Sequence, residues 1–317
     1  MATALILGAN GFVGPWLARE LASHGYRVCA SDVQAGPSSR LECDLYWPAN
    51  LLDPSSLAGL LEATRPDQVY DLAAVSSVGQ SWRNPAFTMR VNVEGTVNLL
   101  EACRALDPMP RVLLVGSSEE YAPSTDPLSE DSPLVATNPY GISKEAQGRI
   151  ADMYLCEYGL PVYRVRAFNH TGPGQAPAFV LPSWCWQVAE IERSGRPGTL
   201  RVGNLDVARD FSDVRDIVRA YVMLVESDRV GEVFNVGSGV ARPLRELLGD
   251  ITSLCRQEVA VEVDPDLLRP TDNPFICCDA SRIADSLGWR PRIIMRDTLA
   301  DIYKSLKCDA LEGGPIV

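Results

Sequence analysis

The feature that most constrains this chain is a rhythm: through its first half, short apolar runs alternate with longer amphipathic segments. The runs are residues 4–7, 27–31, 68–72, 111–115 and 162–165, and the segments at 12–24, 53–64, 85–106 and 140–158 carry helical periodicity. A strand that is apolar throughout is buried on both faces. Such strands alternating with helices predict a parallel sheet with helices on each side. After Phe168 the rhythm changes. Residues 170–178 are rich in Gly and Pro and read as a loop, 179–194 as a helix, and 195–212 as polar loop broken by a short strand at 200–202. Helices follow at 213–226, 244–255, 280–287 and 296–306, with strands at 233–236 and 259–263. The expectation is an α/β chain in two parts. A doubly wound sheet domain spans 1–168, and a smaller α/β substrate lobe spans 169–317, with some of its segments returning to the sheet.

A formal net charge of −12 repels nucleic acid and anionic membrane surfaces, so neither is expected as a partner. No apolar run approaches the roughly 20 residues that a membrane helix needs. The nine cysteines are odd in number and none pairs at CxxC spacing, which predicts reduced thiols in a cytoplasmic protein. Only His24 and His170 are present, without zinc spacing, so no metal is expected.

The first run leads into Gly8-Ala-Asn-Gly11-Phe12-Val13-Gly14, which opens the first helix. Gly8 permits a tight turn, Gly11 lets the backbone approach a pyrophosphate, and Gly14 allows close helix–strand packing. The phosphates would sit at the helix N-terminus, where free N–H groups favour anions. The spacing is GxxGxxG, so the dinucleotide fingerprint applies by mechanism rather than by letter. Asp32, at the end of the second run, is placed to accept from the adenosine ribose hydroxyls and to repel a 2′-phosphate. That predicts a Rossmann-type sheet that favours NAD(H), with NADP(H) as the alternative. The competing reading of Asp32 is a loop cap.

Tyr140 and Lys144 lie four apart at a helix start and share a face. A lysine beside a phenol is expected to lower the tyrosine pKa and suit it to proton transfer. Ser117 and Ser118 fall at the carboxyl edge of a central strand, where ligands bind in this kind of sheet, so their hydroxyls can reach a substrate oxygen. Glu119 and Glu120 also read as helix-start or surface charges.

In order and spacing these features resemble the extended short-chain dehydrogenases/reductases. The resemblance rests on the glycine turn, Leu72-Ala73-Ala74, Asn92 in an Asn-Val-Glu-Gly-Thr stretch, the Ser117 strand end and the Tyr140/Lys144 pair. It implies that Tyr140 is the acid/base, that Lys144 holds the nicotinamide ribose, and that Ser117 orients the reacting oxygen. It also implies that Gly8, Gly11, Phe12, Val13, Gly14, Asp32, Asn50, Leu51, Leu72, Ala73, Ala74 and Asn92 bind or line the cofactor. Asn50 departs from the family's usual Asp before the adenine-flanking residue, here Leu51.

The second half is most similar to GDP-6-deoxy-4-keto-mannose reductases, through Ser117-Ser-Glu-Glu-Tyr121, 168–175, 202–206, 209–211 and 268–270. The resemblance implies C4-keto reduction of a GDP-linked sugar. Arg209 and Arg269 would fork onto the diphosphate. Asn169 and Gln175 would bond sugar or phosphate oxygens, and Ser118, Phe179, Val180, Asn204 and Leu205 would line the substrate. Glu119 matches the C5 base of the related 4,6-dehydratases, which makes dehydration the alternative reading, followed by epimerisation. A non-catalytic dinucleotide sensor would be expected to lack the Ser117, Tyr140 and Lys144 set. In relatives the helices matching 85–106 and 140–158 form a dimer interface, which implies a homodimer.

Overall fold

The computed structural model describes residues 1–268 and 273–309. Strands β1 (Thr3–Leu7), β2 (Arg27–Ser31), β3 (Leu45–Tyr46), β4 (Gln68–Asp71), β5 (Arg111–Ser117) and β6 (Val162–Ala167) alternate with helices. The helices are α1 (Gly14–Ser23), α2 (Pro54–Thr64), α3 (Val78–Arg83), α4 (Pro85–Met89), α5 (Gly95–Arg104) and α6 (Pro139–Tyr158). The second half adds β7 (Asn169–Thr171), α7 (Val180–Ser194), β8 (Gly198–Val202), β9 (Ala208–Asp213), α8 (Val214–Glu226) and β10 (Val233–Val236). It ends with β11 (Ala241–Pro243), α9 (Leu244–Thr252), β12 (Val259–Val263), β13 (Phe275–Ile276), α10 (Ser281–Leu287) and α11 (Met295–Asp309).

Seven strands form one parallel sheet in the order β10-β6-β5-β4-β1-β2-β3. Successive residues of each strand point to opposite faces. Ala4, Ile6, Tyr70, Leu113 and Val165 pack with Leu17 and Leu21 of α1 and with α8. Leu5, Leu7, Val69, Val112 and Leu114 pack on the other face with Leu57 and Leu60 of α2, Leu99 and Leu100 of α5, and Tyr154 of α6. The sheet is thus apolar on both sides, which is what the uninterrupted runs require. A separate core joins α7, α9 and α11 with Leu200, Val202, Leu205 and Val207. β10 and α8 lie in the second half of the chain but complete the first core.

Three expectations need correction. Residues 170–171, read as loop, belong to β7, which pairs in parallel with Phe211–Asp213 of β9. Residues 208–212, also read as loop, and Asp213, read as a helix start, form β9, which pairs with β7, β11 and β13. Ala-Arg-Asp-Phe-Ser-Asp carries little apolar periodicity, and tertiary pairing supplies what propensity does not. The helix expected over 85–106 is also interrupted. A π-helical turn at Arg90–Glu94 separates α4 from α5.

Candidate active site

The strand order reverses between β1 and β4, so their carboxyl ends open the crevice where this sheet type binds ligands. Gly8, just past β1, has φ of 72°, and a Cβ there would lie 2.8 Å from the Ala73 backbone. The loops after β1 and β4 therefore touch at a point that only glycine can occupy. A Cβ on Gly14 would collide with the Ala9 carbonyl, and one on Gly11 would come within 3.1 Å of the Gly8 oxygen. The turn is bare backbone facing a helix N-terminus, and it fits a pyrophosphate.

Around the turn the expected cofactor residues fall into two groups. Phe12 stacks on His170 at 6.1 Å, with the planes 13° apart. Burial pushes the His170 pKa down, which keeps its ring neutral. Val13 is the residue before α1, and Leu72, Ala73 and Ala74 form the wall after β4. Leu51 is buried, and its carbonyl accepts from Asn98. The Asn50 Oδ1 turns back to accept the Leu52 N–H at 3.0 Å. Asp32 stands just beyond β2 and accepts from the Asn10 and Val33 N–H groups at 3.1 and 2.8 Å. It therefore ties its own loop to the glycine turn.

Asn92 is 1% exposed; its Oδ1 accepts the Val75 N–H, and its Nδ2 donates to the Val75 carbonyl and to Ser143 Oγ. It braces the loop after β4 against α6.

Ser117 ends β5, and Tyr140 and Lys144 project from the first turns of α6. That helix starts where it does because the Asn138 side chain caps it by accepting from Gly141, with Pro139 at its first position. A Cβ on Gly141 would strike the Glu119 carbonyl, so α6 is seated directly on the loop that follows β5. Lys144 is 4% exposed, and its Nζ donates to the Val115 carbonyl at 2.8 Å and to Gln147 Oε1 at 3.1 Å. One hydrogen of the ammonium remains. Burial lowers the Lys144 pKa, opposed by the charges of Asp71 and Glu120.

The expected lowering of the Tyr140 pKa is not found. Burial pushes it up to about 12; the Ser117 hydroxyl pulls it down, and the charges of Glu120 and Glu119 add to the rise. Desolvation of the phenolate outweighs the effect expected from the lysine.

Ser117 Oγ accepts the Glu119 N–H at 3.2 Å, and Ser118 is buried beside it. The half-buried Glu119 accepts from Asn138 Nδ2 at 2.8 Å. Glu120, read as a helix-start or surface charge, stands in the short 3-10 turn after β5 and is buried at 3% exposure. It closes a capping box with Ser117, and the Ser-x-x-Glu spacing is the signal that could have revealed it. A second buried carboxylate, Asp71 at the end of β4, has one oxygen accepting from Ala73 and the other without a partner.

The expected substrate residues scatter more widely. Asn169 lies on β7 at the sheet's carboxyl side. The Gln175 side chain is engaged inside its own loop, accepting from the Thr171 hydroxyl and donating to the His170 carbonyl. Phe179 and Val180 begin α7 and are part-exposed. Asn204 caps the Asp206 N–H. Leu205 is 7% exposed and lines a cavity of about 470 Å³ with Ala208, Pro243 and Arg245. Arg209 on β9 is buried and donates to the Ala208 carbonyl. Arg269 lies outside the described residues.

A doubly wound sheet with a glycine turn after β1, a hydroxyl at the end of β5 and a Tyr/Lys pair on the following helix defines an extended short-chain dehydrogenase/reductase. Residues 5–302 match the family model of GDP-mannose 4,6 dehydratase, and the chain belongs to that family. It is 34% identical over 256 residues to GDP-6-deoxy-D-mannose reductase of Pseudomonas aeruginosa, covering 80% of this chain and 84% of the relative. The solved structure of RMD from Pseudomonas aeruginosa complexed with NADPH superposes with a TM-score of 0.84 at 30% identity, over 97% of this chain and all of that one. UDP-glucose 4-epimerase from Brucella ovis in complex with NAD superposes with a TM-score of 0.86 at 26% identity, over 97% and 99%.

Proposed function

We propose that this chain is an NAD(P)H-dependent oxidoreductase that reduces the C4 keto group of a nucleotide-linked 4-keto-6-deoxyhexose, converting GDP-4-keto-6-deoxy-D-mannose to GDP-D-rhamnose. The observation that carries the reading is that Ser117 ends β5, and Tyr140 and Lys144 open α6, in the same parallel sheet whose first strand leads into the glycine turn. The relative that is a GDP-6-deoxy-D-mannose reductase supports the substrate. The nicotinamide, when bound, supplies the hydride. Tyr140, which burial keeps protonated at neutral pH, gives its proton to the oxygen that gains charge. Ser117 steadies that oxygen, and the remaining hydrogen of Lys144 serves the ribose. Asn169 and the arginines of the lobe, Arg209 and Arg269, are assigned to the sugar diphosphate. Relatives hold both NADPH and NAD, and Asp32 beyond β2 favours NADH here.

A 4,6-dehydratase is the second reading, favoured by the Glu119 carboxylate beside Tyr140. One experiment separates the two. The purified chain is given GDP-4-keto-6-deoxymannose with NADH or NADPH and, separately, GDP-mannose with NAD. Turnover of the keto sugar supports the reductase; turnover of GDP-mannose alone rejects it. We assign the enzyme to the cytoplasm and to a homodimer built on α5 and α6. Among the described residues no helix is long and apolar enough to cross a membrane.

A further inference from the structure

We propose that Glu120 is a positioning residue for this reaction: its buried carboxylate fixes the backbone of Ser117 and faces Lys144 across one small cavity. The inference rests on the roles proposed above for Ser117, Tyr140 and Lys144.

The geometry is specific. Glu120 Oε1 accepts the Ser117 N–H at 2.7 Å, and Oε2 accepts Arg166 Nε at 2.9 Å. A Cβ on Gly116 would collide with Oε1, so the strand end is shaped to admit this carboxylate. Arg166 is held in turn, donating to the Tyr121 hydroxyl and the Glu130 carbonyl, while Tyr121 donates to Asn235 on β10 at 2.6 Å. A cavity of about 10 Å³ is lined by Glu120, Lys144, Gln147, Arg164 and Arg166.

A buried ion pair that served only stability would be a poor choice, because two charges must be desolvated to make it. Here one oxygen is spent on the residue that meets substrate. The charge also acts on the proton carriers. The groups that bear on Tyr140 are Ser117, Glu119, Glu120 and Tyr221, and those that bear on Lys144 are Asp71 and Glu120. Glu120 itself is faced by Arg166 and Lys144. Its negative charge opposes loss of the proton from both Tyr140 and Lys144.

The test uses Glu120→Gln, which keeps an oxygen for the Ser117 N–H and removes the charge, and Gly116→Ala, whose Cβ would meet both the carboxylate and the Val165 carbonyl while leaving the charge in place. Each is assayed for keto-sugar reduction from pH 6 to 10. For Glu120→Gln we expect kcat down about tenfold, both KM values within about twofold of wild type, and the alkaline fall in kcat moved to lower pH. For Gly116→Ala we expect the lower kcat as well. The Ser117 amide proton, followed by NMR without substrate, should change its shift and exchange faster in both. If Glu120→Gln leaves Arg166 unpaired and fails to fold, Glu120→Met with Arg166→Met replaces the pair by apolar volume; it should fold and show the same loss of kcat. A folded variant with wild-type kcat, pH profile and Ser117 amide would overturn the proposal. If the wild-type protein reduces no keto sugar, the reaction reading fails, and the Ser117 amide still decides whether Glu120 holds that residue.

Discussion

At the scale of single residues, burial favours the protonated form of both the Tyr140 phenol and the Asp71 carboxyl. Burial keeps the phenol protonated where an acid is wanted. Replacing it with phenylalanine should lower kcat by about 10²–10⁴ while the protein still binds cofactor, checked by steady-state rates and by fluorescence of bound NADH. Asp71 has an unpartnered oxygen, and burial raises its pKa to about 6, with the Lys144 charge opposing the rise. A carboxyl with a raised native pKa stabilises the fold below its unfolded value near 4, and that contribution is lost as pH climbs through 6. Asp71→Asn should therefore be more stable than wild type above pH 6, by at most about 3 kcal/mol, and the two should converge near pH 4. Urea unfolding at pH 4 and pH 7.5 measures both. Tyr140 and Lys144 were legible in the sequence because four residues make one helical turn. Asp71 was not, because only strand pairing shows that both of its neighbours close over it.

The elements show where patterning reads well and where it does not. β1, β2, β4, β5 and β6 announce themselves because burial on both faces makes their centres apolar, with polar residues mostly at the strand ends. β7, β9 and β11 are short or polar, and they exist by pairing with one another. The π-helical turn at Arg90–Glu94 was also hidden, since its composition matches that of its flanks. It carries Asn92, whose carboxamide ties Val75 to Ser143. Asn92→Ala would strand buried backbone and hydroxyl partners, and we expect it to cost about 1–3 kcal/mol and to raise KM for the cofactor more than for the sugar. Denaturant titration and separate KM measurements check the two halves. At the glycine turn, Gly8→Ala adds a Cβ into the Ala73 backbone at a left-handed φ, so we expect loss of NADH binding by calorimetry.

For the whole molecule, the proposed dimer has a definite face. Ile142 and Met153 on α6 are each 46% exposed and lie eleven residues apart, about three turns, on the same side of the helix. Light scattering after size exclusion should give twice the chain mass for wild type. The Ile142→Glu, Met153→Glu double variant should give a monomer. The boundary at Phe168 rests on a change of rhythm in the sequence. The return of β10 and α8 to the first core was expected only in outline, since the strand at 233–236 carries no mark of which sheet it joins.

The hydroxyl at the tip of β5 already receives a hydrogen from the amide two residues on. One of that oxygen's two lone pairs is thereby occupied, and its hydrogen and its second lone pair remain. The oxygen of an approaching ketone thus meets a hydroxyl already anchored from one side, one that can still give its hydrogen.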